Sequence, residues 1–191
     1  MKLKQKSEED VSTKEGLTST SKFNVDLSEN MVNLLIKQIS HELHNYTLYK
    51  TFANYFGSEG LNLLKEYYLG RADEELLHHN WIVDYLDERG VFFKYPAVPE
   101  VNEEFDEYID VFELTVAVEE ETTKMIYEIV DLANKDHDYL ALSWLMQNGN
   151  GAKLVQEQTE ELAISNLALS IASQDGSWLE KERAILKAYK S

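Results

Sequence analysis

Beyond residue 23 the apolar residues recur three and four positions apart, the spacing of helices with one buried face. The first stripe runs through Leu35, Ile39, Glu42, Tyr46, Tyr49 and Ala53, in a helix expected to start at the cap-type residues near Asp26 and to reach Phe56. Gly57-Ser58-Glu59-Gly60 is too short a break for anything but an antiparallel hairpin. A second helix follows from about Leu61 to Glu88, with Leu61, Leu64, Tyr68, Ala72, Glu75, His78, Ile82 and Leu86 on its stripe. Arg89-Gly90 closes it, and the stretch from Phe92 to Pro99 holds both prolines, so a long extended crossover should carry the chain back along the bundle. The third helix, from about Phe105 to Asn134, carries Phe112, Val116, Glu119, Thr123, Ile126, Val130 and Ala133. Helices two and three would then run parallel.

A fourth helical stretch begins at Tyr139 and is interrupted at Gln147-Asn148-Gly149-Asn150-Gly151, where two glycines and two asparagines predict a turn or bulge. The pattern resumes through Leu154, Gln158, Glu161, Ile164, Ala168 and Ile171, and a short amphipathic fifth helix is expected from Trp178 to Lys190. Residues 1–23 are Lys, Glu, Ser and Thr with scarcely an apolar side chain, and read as a flexible tail ahead of one domain, 24–191.

Composition fits this all-α picture: 43% hydrophobic residues over 191 positions, with only two prolines and eight glycines. The absence of cysteine rules out disulfides and thiolate-bound metal. No stretch approaches the roughly 20 apolar residues of a membrane span, and the first residues lack a secretory apolar run, so a soluble, cytoplasmic protein is expected. A formal net charge of −17 disfavours nucleic acid, which needs lysine and arginine against phosphate, and favours cations.

Candidate chemistry lies on the stripes themselves. Glu42, Glu75 and Glu119 interrupt three apolar series, and Gln158 and Glu161 interrupt the fourth. Glu75 and His78 stand one helical turn apart on one face, the geometry of a chelate. Several unpaired carboxylates in a bundle core would cost several kcal/mol each. No lysine or arginine falls on those stripes, so bound multivalent cations are the expected remedy, and carboxylates locked to arginines would speak against a metal centre. Hard oxygen donors with a single imidazole suit iron(II) or manganese(II) better than zinc or copper.

With these motifs in place the chain resembles the non-haem bacterial-type ferritins over roughly Asp26 to Leu186. Ile39-Ser40-His41-Glu42-Leu43 followed by Tyr49 is similar to that family's first-helix ligand segment. The run from Asp73 to His78 with Asp84-Tyr85-Leu86 is similar to the second-helix segment, Glu119 sits where the third helix gives its ligand, and Glu157-Gln158-Thr159-Glu160-Glu161 is similar to the fourth-helix segment. The absence of a Glu-x-x-His on the fourth helix separates the chain from bacterioferritins and rubrerythrins, and the ligands do not look like those of starvation-type mini-ferritins.

The resemblance implies an up-down-down-up four-helix bundle with a long crossover and a short C-terminal helix. It implies a ferroxidase centre in which Glu42, Glu75 and His78 bind one iron, and Glu75, Glu119 and Glu161, with Gln158 alongside, bind the second. Glu74, Glu157 and Glu160, sharing Glu161, match a third iron site, and Tyr49 matches the tyrosine that hydrogen-bonds a ligand. Fe(II) and dioxygen would be the substrates, and the product an Fe(III) oxide held in a homo-oligomeric shell of twenty-four subunits. The interrupted fourth helix departs from the family pattern. His41, His44, His79 and His137 read as surface or packing residues. A peroxide-consuming di-metal oxidoreductase without storage, and a structural or DNA-protecting shell resting on Lys2, Lys4 and Lys6, stay open as alternatives.

Overall fold

The computed structural model describes residues 27–146 and 154–191. These form six helices: α1 (Glu29–Ser58), α2 (Asn62–Glu88), α3 (Tyr108–Asp136), α4 (Tyr139–Met146), α5 (Leu154–Ala172) and α6 (Trp178–Tyr189). The tail predicted over residues 1–23 and the turn predicted at 147–151 lie outside the described residues.

Local signals set the helix ends. The Ser28 hydroxyl accepts the Met31 amide at 3.2 Å and caps α1. Between α1 and α2 the chain reverses at Gly60, whose φ of +79° suits glycine. Ahead of α3, Glu107 and Asp110 form a capping box, three residues later than the start expected at Phe105. Phe105 instead packs its ring edge-on against Phe52 at 5.3 Å. His137, with φ of +55°, turns the chain out of α3 in the left-handed conformation.

Two apolar cores fill the bundle. One joins Leu48, Phe52 and Phe56 of α1 to Leu64 and Tyr68 of α2, Phe112 of α3, Ala168 and Ala172 of α5, and Ile185 of α6. The other joins Met31, Leu35 and Ile39 to Ile82 and Leu86, Ile126, Ile129 and Ala133, Leu145 and Leu154. The start of α2 thus shares an end of the bundle with the start of α3, while α1 and α5 run the opposite way. That is the up-down-down-up order. The crossover lies along α1, where Ser40 donates to the Ala97 carbonyl at 2.7 Å.

All eight expected stripe residues of α2 are buried. In α1 the buried face passes through Asn45, not Tyr46, which is only partly covered. In α3 Phe112, Glu119, Ile126 and Ala133 are buried, but Val116, Thr123 and Val130 give way to Thr115, Thr122 and Ile129. The covered face of α3 follows a seven-residue repeat, as neighbouring helices nearly parallel to it require. Ile164 and Ile171 of α5 are likewise half-buried beside the buried Ser165 and Ala172.

Candidate metal centre

Between the two apolar cores lies a buried polar layer: Gln38, Glu42, Asn45, Arg71, Glu75, His78, Thr115, Glu119, Thr122, Gln158, Glu161 and Ser165. Each comes from the covered face of a helix, so the side chains point inward because the helices pack, and the layer forms as the two cores close around it. Glu42, Glu75 and Glu119 are fully buried, and His78 and Gln158 are nearly so.

Two trios emerge. Glu42, Glu75 and His78 each bring a ligand atom within 4.8 Å of the others, and so do Glu75, Glu119 and Glu161. Glu75 belongs to both. The structure therefore collects five residues from four different helices at one point, with Gln158 beside them donating to Glu119 Oε2 at 2.8 Å. Among the described residues, Glu42 Oε2, Glu75 Oε1, His78 Nδ1 and Glu161 Oε2 are buried atoms with no hydrogen-bond partner. Each such group costs about 1–3 kcal/mol. Cations held by oxygens and one imidazole nitrogen would satisfy them, so the residues present fit a pair of hard or borderline metal ions.

The surrounding polar groups orient these donors. Gln38 Nε2 donates to Glu42 Oε1 at 2.7 Å, and Asn45 Nδ2 reaches Glu75 Oε2 at 3.5 Å. The Tyr49 hydroxyl donates to Glu119 in a very short contact. Burial drives the protonation states. It raises Glu42 to about 7, opposed by its polar neighbours Glu75 and Gln38, and it raises Glu75 and Glu161 well above the usual carboxylate range. His78 is lowered to about 4 by burial and by the Arg71 charge, so its imidazole is neutral and free to ligate.

One group overturns a sequence expectation. Arg71 is buried in the layer, its Nη2 2.5 Å from Glu119 Oε1 and 3.5 Å from Glu161 Oε2, and its Nη1 2.7 Å from Glu74 Oε2. Burial opposes its charge, but Glu161 and Glu119 outweigh it, and the guanidinium stays protonated. The stripe through Tyr68, Ala72 and Glu75 drew attention to Ala72, yet α2 is covered widely enough to bury its neighbour as well. Arg71 lies four residues before Glu75, hence one turn away on the same side. That spacing was the available signal. The arginine bonds only to Glu119 and Glu161 of the second trio: no hydrogen bond joins it to Glu42, Glu75 or His78, and its charge alone reaches His78.

The remaining predicted residues line an adjoining cleft of about 250 Å³, walled by Arg71, Glu74, Glu157, Glu160, Glu161, Ile164 and Tyr189. Glu74, Glu157 and Glu160 thus sit together, at the outer side of Arg71 and half-exposed or exposed. Tyr189, which the sequence reading passed over, donates to Glu74 Oε1 at 2.9 Å. Among the other histidines, His41 bonds Thr122 at 2.7 Å and His79 contacts Asn80 at 2.9 Å.

Comparison with known proteins points the same way. The chain is 30% identical over 138 residues to a bacterial non-heme ferritin of Staphylococcus saprophyticus, covering 72% of this chain and 79% of that one. A Staphylococcus aureus bacterial non-heme ferritin is 26% identical over 150 residues, covering 78% and 87%. Among solved structures, an open pore ferritin from the hyperthermophilic archaeon Archaeoglobus fulgidus superposes with a TM-score of 0.76 at 29% identity, covering 85% of this chain and 98% of that one. No helix among the described residues is long and apolar enough to cross a membrane. The ferritin-like domain family matches residues 32–163, most of the bundle and all of the buried polar layer but its last serine, and the chain belongs to that family.

Proposed function

We propose that this chain is an iron-storing ferroxidase, which binds two Fe(II) ions as substrates within each subunit, lets dioxygen oxidise them, and releases Fe(III) to a mineral inside a shell of twenty-four copies in the cytoplasm. The reading is carried by Glu75, whose carboxylate is common to both trios and in this reading would serve both ions. Its assembly and storage parts draw on the likeness to ferritins.

In this reading Glu42 and His78 hold the first ion, Glu119 and Glu161 the second, and Gln158 steadies Glu119. The carboxylates do the chemical work by charge: anionic oxygens bind the harder, more highly charged Fe(III) more strongly than Fe(II), which lowers the cost of removing one electron from each ion. Loading should release protons, because burial favours the protonated forms of Glu42, Glu75 and Glu161. Glu74, Glu157 and Glu160 offer a third cation station on the side of the cleft, between the centre and open space. Tyr49, bonded to Glu119, is close enough to supply an electron or a proton through that contact. The −17 balance gathers cations at the surface.

Anaerobic Fe(II) followed by air should give rapid Fe(III) absorbance that is lost in Glu75→Ala combined with His78→Ala. An unchanged signal in that double variant would refute the site. Light scattering should give a particle of hundreds of kilodaltons, and a 22.1 kDa monomer would defeat the storage reading.

A further inference from the structure

Resting on that metal reading, we propose that Arg71 is the resident counter-ion of the second metal position, so that the centre loads in a fixed order. The first ion goes to Glu42, Glu75 and His78. The second enters only as the Arg71 side chain turns out toward Glu74, Glu157 and Glu160.

The geometry separates the two positions. Arg71 is hydrogen-bonded within the second trio through Glu119 at 2.5 Å and lies 3.5 Å from Glu161. Glu42, Glu75 and His78 make no hydrogen bond with it and keep unpartnered buried ligand atoms, so an ion there displaces no resident cation. A guanidinium is permanently charged and forms a planar fork, which makes it an effective substitute for a cation between carboxylates. It therefore holds Glu119 and Glu161 in place before metal arrives, and competes with the metal when it comes.

An exit is built alongside. The other edge of the fork, Nη1, already faces Glu74 at 2.7 Å, and the cleft of about 250 Å³ beyond it is walled by Glu157 and Glu160 as well. A rotated Arg71 would keep carboxylate partners there. Glu74 is itself held from outside by Tyr189 at 2.9 Å, so the receiving group is anchored. The arginine leaves one acidic cluster for another, and a doubly charged ion replaces a singly charged one between Glu119 and Glu161.

The test is a titration of the metal-free, assembled full chain with Mn(II), which does not turn over, followed by electron paramagnetic resonance. Wild type should bind one Mn(II) per chain with an uncoupled signal, and the second at free Mn(II) at least about tenfold higher, with an exchange-coupled signal appearing only then. In Arg71→Gln the two should bind together and the coupled signal should appear from the first additions, while Arg71→Lys keeps the two-step order. Two equivalents taken up in a single step by wild type would overturn the proposal while leaving the metal centre intact, and that result needs no variant to fold. No Mn(II) uptake at the centre by wild type or Arg71→Gln would overturn both the ordered loading and the metal reading beneath it.

Discussion

Tyr189 donates its hydroxyl to Glu74 at 2.9 Å, and this bond ties the last turn of α6 to the cleft beside the candidate metal centre. The ring stands edge-on to Tyr67 at 5.2 Å, and it lies so close over α2 that a Cβ on Gly70 would meet it at 2.8 Å. A glycine in mid-helix normally weakens the helix by about 1 kcal/mol relative to alanine. Here it makes room for the C-terminal helix to dock.

That close approach predicts a change of sign. Gly70→Ala should destabilise the wild-type apo protein by about 1–2 kcal/mol, because overpacking against Tyr189 exceeds the gain in helix propensity. In a Tyr189→Ala background the same substitution should stabilise by about 0.5–1 kcal/mol, since the space is free. Thermal unfolding of the four proteins of the cycle measures this, and one sign in both backgrounds would show that Tyr189 does not sit on Gly70.

Burial of mutually repelling acids makes the metal-free centre a weak point. Glu75→Gln removes a fully buried carboxylate that lies beside Glu42, Glu119 and Glu161, so apo stability should rise by about 1–3 kcal/mol while tight metal binding is lost. Calorimetric unfolding without metal, paired with Mn(II) or Fe(II) titration, reads both halves. A less stable apo variant would contradict the prediction.

The same acids set a pH dependence whose sign is fixed between about pH 6.5 and 8. Burial raises Glu42 to about 7 and pushes Glu75 and Glu161 up as well, so in this window the folded apo protein binds more protons than the unfolded chain and loses stability as pH rises. The half-buried His41 and the buried His78, both lowered to about 4, are neutral when folded, and above 6.5 they are mostly neutral when unfolded too. They act in the opposite direction only at lower pH. Metal binding removes the carboxylate protons, so affinity should climb through pH 7 with proton release on loading. Unfolding midpoints with and without saturating metal should diverge as pH increases, and parallel curves would count against the assignment.

Tyr49 can be isolated from packing. Tyr49→Phe keeps the ring against Phe52 and Tyr68 and deletes only the hydroxyl on Glu119. The cost should be about 1.5–3 kcal/mol, the range for a hydrogen bond to a charged group, with Glu119 still held by Arg71 and Gln158. Iron oxidation should slow while the number of metal ions bound per chain is unchanged. A lost metal position instead would mean that the hydroxyl is needed to hold Glu119 in place.

Much of the bundle was legible because helix packing writes itself into spacing. The series from Leu61 to Leu86 is buried residue for residue, and Glu42, Glu75, Glu119 and Glu161 stand out as acids at positions that burial would otherwise forbid. The hairpin at Gly57 to Gly60 and the proline-bearing crossover set the helix directions. Finer choices were not legible. Asn45 replaces Tyr46, and Thr115, Ile129 and Ser165 replace their neighbours, because a covered face is wider than one line of residues and its edges depend on where the partner helices touch.

By itself, then, the sequence determined that four long helical faces would close over one layer of glutamates with a single imidazole, since period and residue type are local properties of the chain. Only the tertiary structure decided that Arg71 would be buried among them and that Tyr189 would reach Glu74 from 115 positions away. The physical reason is that a long charged side chain can lie along either edge of its helix. Which edge is covered, and by which carboxylates, is settled by where Glu119 of α3, Glu161 of α5 and Tyr189 of α6 meet α2.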